Sequence, residues 1–200
     1  MVIIMTKNIL ILGATGKLGS ALTKEIVKTK DWNVTQFSRT GTEKIVESDN
    51  ITVLTGDAAT ADIFEDYDIV YCAISGSELP EVASNLVKYD IKRLLFTGAV
   101  GIYNEIIDEV DGKDNVDNNP HQVPNRDAVE IIENSDINYT ILRPEYLRDG
   151  ELDDYQIILK GKEVDWYKTS LPAFVNFIIK IIDEDLYSKE SVAFIKHPEE

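Results

Sequence analysis

The stretch Ile9-Leu10-Ile11-Leu12-Gly13-Ala14-Thr15-Gly16-Lys17-Leu18-Gly19 decides how this chain folds. Four apolar residues suited to a buried strand run into three glycines spaced three apart, and helix formers follow at once in Ala21, Leu22, Lys24, Glu25 and Ile26. A strand that turns on glycines into a helix is a place where a protein can hold a pyrophosphate. The glycines let the backbone approach the ligand, and the helix N-terminus offers unpaired N–H groups and a partial positive charge. Gly13, Thr15, Gly16, Lys17, Leu18 and Gly19 are therefore candidate contacts for such a ligand. A lone glycine triplet is a weak signal, but this one follows a buried strand, opens an amphipathic helix and begins a βαβ pattern. A turn that merely packs helix on strand does not need all three glycines.

Working outward, apolar runs alternate with helical patterns along the whole chain. Strands are predicted at Asn8–Leu12, Asn33–Ser38, Ile51–Thr55, Ile69–Ala73, Arg93–Thr97, Tyr139–Leu142 and Ser191–Ile195. Helices are predicted at Lys17–Lys28, Glu78–Lys88, Arg126–Asn134 and Pro172–Ile182, with a short one near Thr60–Phe64. This alternation argues an α/β fold: a doubly wound, Rossmann-like parallel sheet covered by helices on both faces. At 200 residues, a single domain spanning 1–200 is the default. The least regular segment, Asn104 to Val123, carries Asp108, Glu109, Asp111, Asp114 and Asp117. Ligands of open parallel sheets bind outside the carboxyl ends of the strands, so this acidic segment, 104–123, reads either as a lid or as a solvated insertion. Its acids lack EF-hand spacing, and no metal site is read in the chain. Residues 144–200 form a small substrate-side region.

Composition narrows the partners. Hydrophobic residues make up 44% and charged residues 28%, ordinary for a globular protein, while the net charge is −16. Such a surface repels phosphate backbones and anionic membranes, so neither nucleic acid nor a membrane is expected as a partner. The run Met1-Val2-Ile3-Ile4-Met5 reads as a strand lead-in and not as a signal peptide, and the apolar stretch from Ala173 to Ile182 is too short to span a bilayer. The one cysteine, Cys72, permits no internal disulfide, which fits a cytoplasmic protein, and its apolar surroundings suit a buried thiol. A monomer or a homodimer is expected.

The predicted strand ends suggest which ligand is held. A dinucleotide with a free ribose 2′-hydroxyl wants an acid about 20 residues past the glycines. From Trp32 to Thr42 there is none, and the strand ends in Ser38-Arg39-Thr40. Arg39 can fork onto a 2′-phosphate with the two hydroxyls alongside, so NADP(H) is expected over NAD(H). Asp57 and Ala58 follow the third strand, where an aspartate can accept from an adenine amino group; Ala73, Ile74 and Ser75 follow the fourth and leave room for a ribose. Thr97 and Gly98 follow the fifth, where a nicotinamide would lie.

Together, Gly13-Ala14-Thr15-Gly16-Lys17-Leu18-Gly19, Ser38-Arg39, Gly56-Asp57, Thr97-Gly98-Ala99-Val100-Gly101-Ile102-Tyr103 and Tyr139-Thr140-Ile141-Leu142-Arg143-Pro144 resemble the atypical short-chain dehydrogenase/reductase group. Within it, the chain looks like the small NAD(P)H-binding members, which include NmrA-like proteins and flavin or biliverdin reductases. That resemblance implies dinucleotide binding over nearly the whole chain. Classical members of the superfamily use a Tyr-x-x-x-Lys pair for proton transfer. Here Gln122 and Arg126 fall at those positions, and no such pair occurs elsewhere. Thr97 takes the usual serine's place and Tyr103 is a candidate proton donor, while His121 reads as a surface residue and Arg143 as a structural one. Two functions follow from the resemblance. One is an NADPH-dependent reductase of a flat acceptor (flavin, quinone or small carbonyl). The other is a non-catalytic NADP(H)-binding redox sensor that acts on a regulatory protein partner.

Overall fold

Ile9, Leu10, Ile11 and Leu12 are all fully buried, which requires that both faces of the strand they form be covered. The structure, a computed structural model, describes residues 6–150, 154–165 and 168–196. In it β1 (Asn8–Leu12) is central, flanked in parallel by β2 (Asn33–Ser38) and β4 (Ile69–Cys72). Adding β3 (Ile51–Thr55), β5 (Leu94–Thr97), β6 (Tyr139–Arg143), β8 (Gln156–Leu159) and β10 (Glu190–Ile195) gives one eight-stranded sheet in the order β3-β2-β1-β4-β5-β6-β10-β8. Every pairing is parallel except β10 with β8 at the edge. Chain order reverses between β1 and β4, so a topological switch point lies beside the glycine turn.

Helices α1 (Lys17–Thr29) and α5 (Leu171–Glu184) cover one face, with Leu22, Ile26, Phe174 and Phe177 packed against Ile9 and Ile11. Helices α2 (Leu79–Leu86) and α4 (Val123–Glu133) cover the other, with Val82, Leu86, Val129 and Ile132 packed against Leu10 and Leu12. The α/β, doubly wound architecture expected from the sequence is the one observed. α5 is apolar because it is a core helix; its start is fixed by Ser170, whose Oγ accepts from the Ala173 N–H at 3.2 Å. Among the described residues no helix is long and apolar enough to cross a membrane.

Differences from the expected elements lie between β3 and β4 and, mostly, after β5. The short helix expected near Thr60–Phe64 is a 3-10 turn at Phe64–Asp66. Asn104–Val123 is not irregular: it holds α3 (Asp108–Asp111) and two 3-10 turns, Gly112–Asp114 and Pro120–Gln122. Its ends are tied down. The Asn115 amide accepts from Ile106 N (3.1 Å) and donates to Ile106 O (2.7 Å), and Val116 N donates to Gly101 O (2.9 Å). Ile106 is buried and bridged to the fully buried Val164. Past Arg143 a second, two-stranded parallel sheet of β7 (Glu145–Arg148) and β9 (Lys168–Ser170) stands apart from the main one. The expected Met1–Met5 lead-in lies outside the described residues, as do residues 151–153, 166–167 and 197–200 of the 144–200 region.

Candidate functional site

The turn after β1 is held by backbone alone. Gly13 N and Ala14 N both donate to Phe37 O, at 3.0 and 3.3 Å, which locks the turn to the end of β2. Gly13 has φ +76, and a Cβ there would lie 3.2 Å from the Ala73 carbonyl, so both conformation and space call for glycine. A Cβ on Gly19 would lie 2.6 Å from Gly13 O and 2.8 Å from Ala14 Cα, so this residue lets the helix press onto the turn. Gly16 begins α1 without a side-chain cap, and no acid occupies the first turn. The first amide N–H groups of the helix therefore face the turn with the dipole's positive end unscreened, a built anion cradle.

Beside the cradle is a cavity of about 250 Å³ over the carboxyl ends of β1 to β4. Gly13, Thr15, Gly16, Ser38, Arg39, Thr40, Asp57, Ala58, Ala73, Ile74 and Ser75 all line it. So four consecutive strand ends, read separately in the sequence, converge on one space. Phe37, Glu78 and Val82 line it too and were not singled out as site residues from sequence. Glu78 and Val82 are four apart at the start of α2, the i, i+4 spacing that places two side chains on one helical face; that was the available signal.

The electrostatics differ from the sequence expectation in one respect. The strand end near Arg39 is free of acids along the chain but not in space. Glu78 crosses from α2 and pairs with Arg39 Nη1 at 3.0 Å. Asp57 Oδ1 accepts from Ala59 N at 2.9 Å, so its carboxylate closes its own turn. Ser38 Oγ accepts from Gly41 N at 3.0 Å and holds the chain that carries Arg39 and Thr40.

The remaining candidates lie elsewhere. Lys17 pairs with Asp149 (3.0 Å) and reaches the Leu147 carbonyl (3.5 Å), so its charge bridges α1 to the β7 segment instead of joining Arg39. Leu18 packs against the α1–α5 core. A Cβ on Gly98 would sit at ordinary packing distance from Val129, Ile102 and Ile141, and its N–H is on Leu142 O. Thr97 Oγ1 bonds to the hydroxyl of the fully buried Tyr71 at 2.9 Å. Tyr103 donates to Glu133 Oε1 at 2.7 Å, lies 3.1 Å from Ser191 Oγ, and has Lys160 and Arg143 over its ring at 4.2 and 4.9 Å. Burial, with the Glu133 carboxylate beside it, pushes its phenol well above the usual range. That is the setting of a structural tyrosine and a poor one for the proton donor expected from sequence. Gln122 is buried with Asn125 bonded to it at 3.0 Å; Arg126 pairs with Asp127 at 2.7 Å, and His121 is exposed. Arg143 is the structural residue expected: it is 0% exposed, pairs with Glu105 and reaches Ser191 O at 3.4 Å.

Known proteins agree with this geometry. The sequence model of the NAD(P)H-binding family matches residues 13–185, from the first glycine of the turn to the end of α5. A short-chain dehydrogenase/reductase from Veillonella parvula DSM 2008, solved in complex with NADP, is similar at TM-score 0.82 and 25% identity, over 96% of this chain and 95% of that one. A Rossmann-fold NAD(P)-binding family protein from Shigella flexneri is similar at TM-score 0.78 and 25% identity, over 98% of both chains. ChuY, an anaerobillin reductase from Escherichia coli O157:H7, shares the fold at TM-score 0.73 and 17% identity, over 96% of this chain and 98% of that one. No curated protein sequence matches.

Proposed function

The chain belongs to the NAD(P)H-binding family, of atypical short-chain dehydrogenase/reductase type, and on that premise we propose that it is an NADPH-dependent reductase of a flat acceptor such as a flavin, a quinone or a small carbonyl compound. The observation that carries the cofactor choice is Arg39, set between Ser38 and Thr40 in the cavity beside the glycine turn. Its guanidinium can fork onto a 2′-phosphate, which would take Glu78's place as its partner. Gly13, Gly16 and the N-terminus of α1 suit the pyrophosphate, and Ala73, Ile74 and Ser75 suit a ribose. The Veillonella protein was solved with NADP, and ChuY is a reductase; both support the reading.

Bound NADPH supplies a hydride to the acceptor. What remains for the chain is to hold the two molecules together and exclude water. With Gln122 bonded to Asn125 and Arg126 to Asp127, no Tyr/Lys pair stands at these two helix positions. A flavin or quinone can take its proton from solvent, which is why a flat redox acceptor fits.

The test follows NADPH absorbance with purified protein and a panel of flavins, quinones and small carbonyl compounds. Turnover on at least one is expected. Tight NADPH binding without turnover on any would overturn the reductase reading and favour a dinucleotide-sensing regulator, the alternative that the missing Tyr/Lys pair supports. Arg39→Ala should weaken NADPH binding by about 1.5–3 kcal/mol, the loss of a charged hydrogen bond, and leave NADH binding nearly unchanged. Equal losses for both cofactors would refute the 2′-phosphate role.

A further inference from the structure

Among the described residues, five that are not glycine have positive φ: Asn104, Tyr146, Asp185, Tyr187 and Lys189. Asparagine tolerates that region. The three after α5 have a structural reason, since their turn wraps Arg93: Asp185 pairs with its Nε at 3.2 Å and Leu186 O accepts from its Nη2 at 2.6 Å. Tyr146 lies in a different setting. At φ +49 its backbone is unfavourable for an aromatic residue, yet the side chain is 52% exposed and is not strained for the sake of the core.

Its place in the strand explains the geometry. In the pairing of β7 with β9, Glu145 faces Lys168 and Leu147 faces Thr169, so Tyr146 is the extra residue of a bulge. Bulges re-aim a side chain, and left-handed outliers persist where the surroundings impose them. Here the hydroxyl is fixed on Asp114 Oδ2 at 3.1 Å.

The anchors on either side place the ring. On one side, Leu147 O and Asp149 hold Lys17 in the first turn of α1, at the glycine cradle. On the other, the Asp114 backbone packs so closely on Gly101 that a Cβ there would lie 2.0 Å from Asp114 O. Gly101 is four residues past Thr97, and Tyr146 is four past Leu142, the strand partner of Thr97. Tyr146 therefore stands past the carboxyl ends of β5 and β6, in the segment whose Leu147 O and Asp149 reach Lys17 beside the glycine turn.

We propose that Tyr146 forms a wall of the acceptor site and that its ring stacks on the planar conjugated ring of the acceptor. The inference rests on the reductase reading above. A ring whose hydroxyl is already tethered loses little freedom when a flat molecule covers it, and offset stacking suits any conjugated ring.

The test titrates riboflavin, then menadione, into protein saturated with oxidised NADP, so that binding is read without turnover. Tyr146→Asn suits the left-handed backbone and removes the ring; it should weaken riboflavin binding by about tenfold and abolish quenching of flavin fluorescence. Tyr146→Phe keeps the ring and should stay within about twofold of wild type. Both should bind NADPH as wild type does. Unchanged riboflavin affinity in Tyr146→Asn overturns the proposal, as does a wild type that binds neither probe. So does a Tyr146→Asn variant with lowered Tm and an equal loss of NADPH affinity, which assigns the residue to structure alone. Failure of wild type to bind NADPH, or to turn over any acceptor, is a different result and sinks the reductase reading itself.

Discussion

The frame around the sheet is built in two ways. Over β1 to β4 it is made of backbone: two N–H groups on Phe37 O, a left-handed Gly13, an uncapped helix start and a Gly19 that leaves no room for a side chain. Over β5 to β10 it is made of side chains brought from far apart in sequence. Arg143 joins Glu105 to Ser191 O, Tyr103 joins Glu133 to Ser191, and Asn115 ties Ile106 in place. Phosphate and ribose are the same in every dinucleotide and can be held by a fixed backbone shape. An acceptor has a shape of its own, and long-range polar pairs can position loops around it without altering the cradle.

The sharpest way to break this contrast is at Arg143. It is 0% exposed, its partner Glu105 is 8% exposed, and its Nε has no hydrogen-bond partner. Arg143→Met should destabilise the protein by about 3–5 kcal/mol, because a buried carboxylate is left without its cation. Adding Glu105→Gln should recover much of that loss. Denaturant unfolding measures both, and a single variant within about 1 kcal/mol of wild type would show that this half does not depend on the pair.

A pair of glycines tests the two halves with the same chemistry. A Cβ on Gly19 meets Gly13 O at 2.6 Å, and one on Gly101 meets Asp114 O at 2.0 Å. Each alanine variant should lower stability by about 1–3 kcal/mol through backbone overlap. Only Gly19→Ala should also weaken NADPH binding; calorimetry that finds equal losses for both would merge the two halves into one.

What was legible in the sequence follows the same division. Asn8–Leu12 and Gly13–Gly19 declare a strand, a turn and a helix within a dozen residues, because apolar runs and glycines are local signals of local geometry. Seven expected strands have observed counterparts, with ends shifted by no more than one residue. Glu78 escaped notice because nothing near Arg39 in sequence announces a carboxylate that arrives from α2. The β7–β9 pair escaped because strands of four and three residues carry almost no periodicity, and Asn104–Val123 looked irregular because its order comes from Asn115 and Val164, which no pattern in the segment reveals. The setting of Tyr103 is hidden for the same reason: Glu133, Lys160 and Ser191 surround it only in space.

A smaller effect is expected where the two kinds of construction meet. Glu78 is a side chain reaching into the backbone-built half, and its pair with Arg39 is largely exposed. Glu78→Gln should leave stability unchanged and tighten NADPH binding by about 0.2–1 kcal/mol, since a phosphate no longer competes with a carboxylate for Arg39. Unchanged or weaker binding would mean that Glu78 contacts the ligand and does more than hold Arg39.

The smallest effect at neutral pH, and the one that sharpens the contrast most, concerns Cys72 at the end of β4. Burial pushes its thiol up to about 12. The unfolded chain releases that proton near pH 8.5 or so, about where a free cysteine titrates. Between those values the native state holds a proton that the unfolded state has lost, so stability is fully present below the lower value and falls as pH rises toward the upper one. Tyr103, raised by burial in the other half, adds to the same alkaline loss at higher pH. Native protein at about pH 9 should therefore react with iodoacetamide only as fast as it unfolds. Faster alkylation would mean that the end of β4 opens on its own, which would make the backbone-built half the softer of the two and reverse the comparison.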